Sequence, residues 1–471
     1  MLHPQCGTAA QASAHQCAKA KTGFVFRLAQ APFRLSVWRM AESPSLFLFR
    51  HRDFALFWFA MIFVNVAVQI EAISIGWQIY GLGRQTRSIE ESSFLVGMVG
   101  LAQFLPLFLL TLWAGAVADR HSRQKIVVAS LIVEAVCVLG LVVVALEPSP
   151  KVWHVFAIAA FFGAARAFLS PASSALVPML VPKSDMPQAI SLKSLSWQGA
   201  VIIGPWLGGL LCAVSTALAY AVAAALYILG IAIILLMRAN TRPVRQPGSP
   251  IQQIREGIAY VWTNKIILGA ISLDLFAVLL GGATALLPAF ASDILQVGPE
   301  GFGLLRSGPA IGAVAMALVL ARWPLVRHAG RRMFLAVGAF GFATLVFALS
   351  KNIYLSVAAL AALGAADMVS VYVRQTLVQI VTPDHMRGRV ASVSGVFISG
   401  SNELGEFESG IAARFLGPVG AAVFGGLGTI GVTGLWARMF PALRRADRLD
   451  GTEGVPAEET IRPHSMTTPA S

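Results

Sequence analysis

The chain has 471 residues, 56% of them hydrophobic and only 13% charged, with a mean hydropathy of +0.71. Soluble domains carry about one-quarter charged residues, and folded chains still expose much of their surface, so these side chains cannot wet a water-soluble globule. That argues against a soluble enzyme, a nucleic-acid regulator or a disordered scaffold. The net charge of +13, from 36 Lys+Arg against 23 Asp+Glu, leaves two explanations, a polyanionic partner or basic loops on one side of a bilayer. Cys6, Cys17, Cys137 and Cys212 lie far apart without CxxC or CxxH spacing, so neither a disulfide framework nor a metal site is expected.

Residues 1–52 read as a cytoplasmic tail. No acid precedes Glu42, yet Lys19, Lys21, Arg27, Arg34 and Arg39 are present. No apolar core of about 7–15 residues follows a basic start, so a cleavable signal peptide is not expected, and Met40 is the expected start of translation. A membrane-crossing helix needs about 20 mostly apolar residues, and the chain offers twelve such runs. Six fall in the first bundle, 53–237, at 54–79, 94–118, 126–146, 153–180, 190–214 and 216–237. Six fall in the second, 266–440, at 266–291, 302–321, 333–349, 353–381, 390–415 and 418–440. Between them, 238–265 forms a cytoplasmic linker in which Ile251, Ile254, Ile258 and Trp262 recur at helical spacing opposite Gln252, Arg255 and Glu256. This pattern predicts a short amphipathic helix on the inner membrane face. Residues 441–471 read as a disordered cytoplasmic tail.

With both termini inside, Arg120, Arg123, Lys125, Arg238, Arg242, Arg255, Arg331, Arg332, Arg387 and Arg389 fall in inner loops. Outer loops and their edges hold only Arg84, Arg87, Lys151, Arg306, Lys351 and Arg414. Short basic loops resist translocation, so this bias explains the basic chain without nucleic acid. The halves are also related. A shift of 201 positions aligns Gly163-Ala-Ala with Gly364-Ala-Ala, Pro182 with Pro383, Gly204 with Gly405 and Gly209 with Gly410. Duplicated six-helix bundles that rock about a midplane site are the architecture of alternating-access carriers.

Three motifs carry the chemistry. The loop Gly115-Ala-Val-Ala-Asp119-Arg120-His121-Ser122-Arg123-Gln124-Lys125 resembles the GxxxDRxGRRK signature of the major facilitator superfamily, with Ser122 in place of a glycine. The resemblance implies a cytoplasmic latch built from Gly115, Asp119, Arg120, Arg123 and Lys125; the equivalent second-half loop lacks the acid. In the fifth run, Gly204, Pro205, Gly208 and Gly209 resemble the glycine- and proline-rich motif of superfamily exporters and proton antiporters, a bending or sliding seam. Across the repeat, Asn402-Glu403-Leu404-Gly405-Glu406-Phe407-Glu408 places three acids in one apolar helix. Each charge at midplane costs about 2.5–3.5 kcal/mol on insertion scales, so such acids face a wet cavity, pair with a cation or stay protonated.

Together with Arg387-Gly388-Arg389, residues 54–440 resemble the transmembrane secretion effectors, the enterobactin-exporter-like branch of that superfamily. The resemblance implies an all-α integral membrane protein of the major facilitator fold, twelve helices in two pseudo-symmetric bundles, in a bacterial inner membrane. It implies a proton-coupled exporter of a small amphipathic molecule, siderophore or drug-like, driven by the proton gradient without a cofactor and acting as a monomer. Glu406 with Glu403 is the expected proton carrier, with Arg166, Asp367 and Arg374 as competing or pairing charges; a purely structural pair at Arg166 is the alternative. Glu71, Gln78 and Gln103 are expected at the substrate cavity. Two other readings stay open, an uptake carrier for a small metabolite and a membrane sensor or assembly partner that does not transport. No GxxxxGK[ST], HExxH or GxSxG is present, so no enzyme chemistry is expected.

Overall fold

A computed structural model describes residues 47, 50–118, 120–241, 250–325, 327–383 and 386–446. Asp119, Met40, nearly all of the expected N-terminal tail, part of the linker and the end of the chain lie outside those residues. The chain divides into two compact units, Met1–Ala55 and Leu56–Ser471. Of the first, the described part is the start of a helix, with the Phe47 and Phe54 rings edge-on at 5.5 Å. The second unit is a membrane-type bundle whose described regular structure is helical.

Six long helices make the first half: α1 (Arg52–Arg84), α2 (Ile89–Ala118), α3 (Arg123–Leu146), α4 (Val152–Leu180), α5 (Met186–Val214) and α6 (Thr216–Leu235). The linker helix α7 (Pro250–Thr263) follows. Then come α8 (Lys265–Ile294), which loosens after Gly281 into 3₁₀ and π turns, α9 (Gly298–Arg322), α10 (Ala329–Leu349), α11 (Ile353–Val381) and α12 (Arg387–Met439). Asparagines cap two of these: Asn264 accepts from the amides of Ile266 and Ile267, and Asn352 from those of Tyr354 and Leu355. Such caps satisfy helix-end donors that have no partner within the helix. Large apolar side chains such as Trp113, Val143, Leu335 and Phe415 point outward, as they must where the surrounding solvent is hydrocarbon.

Among the described residues, eleven helices are long and apolar enough to cross a bilayer, one fewer element than the twelve expected. The difference lies in α12, whose 53 residues contain Gly417 at φ 72°, followed by Pro418. A left-handed φ suits glycine alone at low cost, and here it reverses the chain. A Cβ added at Gly405 would lie 3.4 Å from the Cα of Leu279, and one at Gly425 3.6 Å from the Cα of Gly281. Those two glycines would be about 30 Å apart in a straight helix, so α12 is two antiparallel helices joined at the kink, both packed on α8.

The linker helix does not rest on an outer face alone. Tyr260 donates to the carbonyl of Val381 at 3.1 Å, Glu256 pairs with Arg389 at 2.5 Å, and Val261 is buried with Ile267, Ile271, Val390 and Val393. The face expected to be apolar is split by this docking. Ile258 and Trp262 stay outward at 37% and 66% exposure, while Val261, outside the expected stripe, is the residue that packs.

Two seams hold the halves together. Along α5 and α9, an added Cβ at Gly209 would meet the Pro299 carbonyl at 2.5 Å, and one at Gly303 the Pro205 carbonyl at 2.5 Å. Along α2 and α12, an added Cβ at Gly97 would meet the Glu406 carbonyl at 2.8 Å, and Gly410 stands equally close to Gly97. Gly209 and Gly410 are repeat mates in sequence, so one backbone-to-backbone contact has been built twice, as small residues permit between membrane helices.

Candidate substrate and proton site

Between the seams lies a cavity of about 100 Å³ whose polar lining is Gln103, Arg166, Thr284, Arg306, Glu403 and Glu406. The last two stand one turn apart near the middle of the first arm of α12, on one face of the helix. Glu406 Oε1 lies 3.5 Å from Arg306 Nη1, with the side chains 28% and 29% exposed. Arg166, from α4 in the other half, donates to Gln103 Oε1 at 3.4 Å and interacts electrostatically with Glu403. Two carboxylates and two guanidiniums, drawn from both halves, therefore face a small polar space. Drug-sized ligands fill sites of about 300–1,000 Å³, so the cavity is collapsed around its charges in this conformation.

The expected residues separate into three places. Gln103, Arg166, Glu403 and Glu406 meet at the cavity. Glu71 and Gln78 are turned into the packing of the first half instead: Tyr227 Oη donates to Glu71 Oε2 at 2.9 Å and Tyr220 Oη to Gln78 Oε1 at 2.8 Å. Fully buried Glu134 shares that interior and, with Glu71, adds to the field on Arg166. Asp367 and Arg374 belong to the second half. Arg374 forms a buried ion pair with Asp274, each side chain 6% exposed, and Asp367 lies beside Asp274. Glu408, off the Glu403–Glu406 face, does not line the cavity.

At one end the cavity is closed by side chains as well as by glycines. Tyr80 Oη donates to Asp293 Oδ2 at 2.5 Å, Arg84 Nη2 lies 3.2 Å from Asp293 Oδ1, and Trp77 stacks on Phe302 at 6.2 Å. The latch loop lies at the opposite end. There Arg123 Nη1 donates to the Ala175 carbonyl at 2.7 Å, Gln124 Nε2 to the Ile234 carbonyl at 2.9 Å, and Ser122 shares a 2.7 Å hydrogen bond with Thr241. These bonds tie the start of α3 to α4, to the end of α6 and to the chain just after it, all within the first half. Arg120 and Lys125 are exposed, and nothing lies within 4 Å of a Cβ added at Gly115. Gly204 and Gly208 bring α5 against Gln69 and Ile70 of α1, and α5 runs unbroken through Pro205. The motif therefore sets close packing on two sides of α5.

By sequence, Arg306 falls at the outer edge of its span, whose apolar run starts at Phe302. The helix starts at Gly298, which puts Arg306 two turns inside. Charged residues deeper than one turn are the signal that would have found it. The Glu71–Tyr227 pairing was open to a similar argument, since a tyrosine in an apolar run needs a hydroxyl partner.

Residues 43–456 match the family described as transmembrane secretion effector. The chain belongs to that family. Its curated relatives include proteins named enterobactin exporter EntS. The one from Shigella boydii serotype 4 is 26% identical over 372 residues, covering 78% of this chain and 85% of the relative. The one from Escherichia coli O1:K1 is 26% identical over 373 residues with the same coverage. Among solved structures, a bacterial homologue of the iron transporter ferroportin in an inward-facing state matches with a TM-score of 0.60 at 15% identity, over 82% of this chain and 98% of that one. A bacterial homologue of the human lysosomal transporter Spinster, inward-facing and unoccupied, matches with a TM-score of 0.62 at 14% identity, over 83% and 96%. The family member described here is a multi-pass membrane transporter with the major facilitator fold.

Proposed function

We propose that this chain exports a small amphipathic molecule, siderophore or drug-like, from a bacterial cytoplasm in exchange for protons. The observation that carries the reading is the Glu403–Glu406 pair, set in a polar cavity where Arg306 of its own half and Arg166 of the other half compete for it. The names of the curated relatives favour export over uptake. The partly exposed, two-sided charge cluster favours a cycling carrier over a silent sensor.

In this reading α12 supplies two crossings, for twelve in all, with both termini cytoplasmic in the inner membrane. The Tyr80–Arg84–Asp293 end faces outside and is closed, and the Arg123 end faces the cytoplasm. Outside, with the halves parted at that end, Glu406 or Glu403 takes a proton. Closure then brings Arg166 toward Glu403, and a nearby cation favours the ionised carboxylate, so the proton leaves toward the cytoplasm. Substrate entering from the cytoplasm loosens that pairing and lets the halves rock back, a shift that requires different affinity for the two states. Arg120, Arg123, Lys125 and Asp119 act at the cytoplasmic end when it closes. The proton gradient supplies the energy, and no cofactor takes part.

The reading is tested in proteoliposomes holding the purified chain, with enterobactin and fluorescent amphiphiles as probes. Transport out of the compartment facing the Arg123 end, accelerated by an opposing proton gradient, is expected. Binding without flux would instead support a sensor.

A further inference from the structure

On the lipid-facing side of the second half, a groove runs between α10 and the second arm of α12. It encloses about 790 Å³, and its lining includes Arg331 and Arg444. Gly338, Ala339, Gly434 and Ala437 give it a floor of small residues, beside a ridge made by the exposed side chains of Leu335 and Phe342. Arg331, Leu335, Gly338 and Phe342 follow at steps of three or four residues, which sets them along one face of α10. A Cβ added at Gly338 or at Gly434 would meet nothing within 4 Å, so the floor is low because side chains are missing there. From Arg331 to Phe342 the helix rises about 16 Å. The hydrocarbon core is about 30 Å thick, so the groove is as deep as one leaflet.

The charged end of the groove is held in place by the backbone. Gly330 N–H donates to the Ala446 carbonyl at 2.9 Å, and Leu443 is fully buried in one cluster with Ala329 and Met333. These contacts fix the short helix Pro441–Arg445 against the start of α10 and bring Arg444 to the same groove end as Arg331. Arg332 and Arg445 follow them in sequence, and all four side chains are exposed. The groove lining contains no carboxylate, and among the described residues no acid pairs with Arg331 or Arg444. The corner of the first half where α3 meets the end of α6 is built differently. There Gln124 binds the carbonyls of Ile234 and Met237, and Arg123 turns to the Ala175 carbonyl.

We propose that this groove binds an anionic phospholipid of the inner leaflet, with an acyl chain between α10 and α12 and the phosphate on Arg331 and Arg444. Guanidiniums match phosphate oxygens with paired donors, and basic pockets between membrane helices on the cytoplasmic side suit anionic headgroups. A soluble anion would use the arginines and leave the apolar groove idle. A second copy docked through the same face would set arginines against arginines, because a two-fold interface pairs a patch with itself. The site uses the membrane orientation given above and none of the substrate chemistry.

The full chain, purified in a neutral detergent, is titrated with dioleoyl phosphatidylglycerol and dioleoyl phosphatidylcholine, and bound lipid is read by native mass spectrometry. A tightly held phosphatidylglycerol is expected, preferred over phosphatidylcholine by about thirtyfold, the scale of two cations at an anionic headgroup. Arg331→Gln combined with Arg444→Gln should erase that preference. Lys183→Gln combined with Lys265→Gln, which removes the same charge elsewhere, should keep it. Gly338→Phe, projecting into open space, should expel the lipid with both arginines in place and leave the melting temperature in lipid-free detergent unchanged. Equal retention of the two lipids, or phosphatidylglycerol binding indifferent to the arginine and glycine variants alike, overturns the proposal. Displacement by glycerol phosphate as readily as by phosphatidylglycerol also overturns it, since the acyl groove would then have no role. Asp447→Asn combined with Asp450→Asn should change nothing. A gain of about tenfold in lipid affinity would make the acidic end of the chain the occupant, and a dimer lost in Gly338→Phe would make it a second copy; either result rejects the lipid. No readout here requires transport, so failure of the exporter reading leaves this test intact.

Discussion

The two halves each hold buried charge, and the contrast between Asp274–Arg374 and Glu406–Arg306 shows what distinguishes a structural pair from a working one. Asp274 and Arg374 come from one half and are 6% exposed, and Asp274 has almost no free space beside it. Glu406 and Arg306 are 28% and 29% exposed, face a polar cavity and share it with Arg166 of the opposite half. Both are carboxylate–guanidinium pairs. Access to water and the participation of the second half are what differ.

The largest expected effect is on the working pair. Glu406→Gln should abolish gradient-driven efflux, a loss of at least about a hundredfold if the carboxylate is the proton carrier, on the scale of acid–base groups removed from enzymes. Protein abundance in the membrane should be unchanged, measured by in-gel fluorescence of a tagged chain. A comparable drop in abundance would move Glu406 into the structural class.

The sealed pair should respond in the opposite way. Asp274→Ala leaves the Arg374 guanidinium buried without its partner, a change that destabilises by about 3–5 kcal/mol. A fall in melting temperature in detergent is expected, together with reduced yield. Full stability with lost transport would mean that Asp274 belongs to the exchange machinery.

Much of this was legible in sequence. Apolar runs of membrane length gave the helices, and the 201-residue register paired Gly209 with Gly410, which the fold uses as matching contacts on two different seams. The acids of α12 were visible because a carboxylate in an apolar helix demands a reason. Their partners were not, since helical spacing places residues on one helix and says nothing of which neighbour faces them. Asp367 and Arg374 share a face of α11, yet Arg374 pairs with Asp274 of α8. Glu71 and Gln78 read as cavity residues from sequence alone, but Tyr227 and Tyr220 of α6 donate to them.

The seams offer a smaller perturbation of the same comparison. Gly209→Ala pushes a methyl toward the Pro299 carbonyl on the apolar seam and should cost about 1–3 kcal/mol of contact. The expected result is greater labelling of a Thr284→Cys reporter, which lines the cavity, from the Arg84 side, with the Glu406 pair untouched. Unchanged labelling would show that this seam does not close that end. The mildest change is Asp293→Asn. It weakens a partly exposed pair with Arg84, a type worth about 0–1 kcal/mol, so that the same labelling rises by less than about fivefold.

The most direct test is transport by Glu406→Gln in proteoliposomes under two regimes. Wild-type chain should move enterobactin or a fluorescent amphiphile both down its own gradient and against it when protons flow the other way. The variant should retain exchange of substrate for substrate, because its amide stands in for the protonated acid, and should lose all response to the proton gradient. A variant that still concentrates substrate with the proton gradient as its sole driving force would contradict the assignment of proton exchange to this carboxylate.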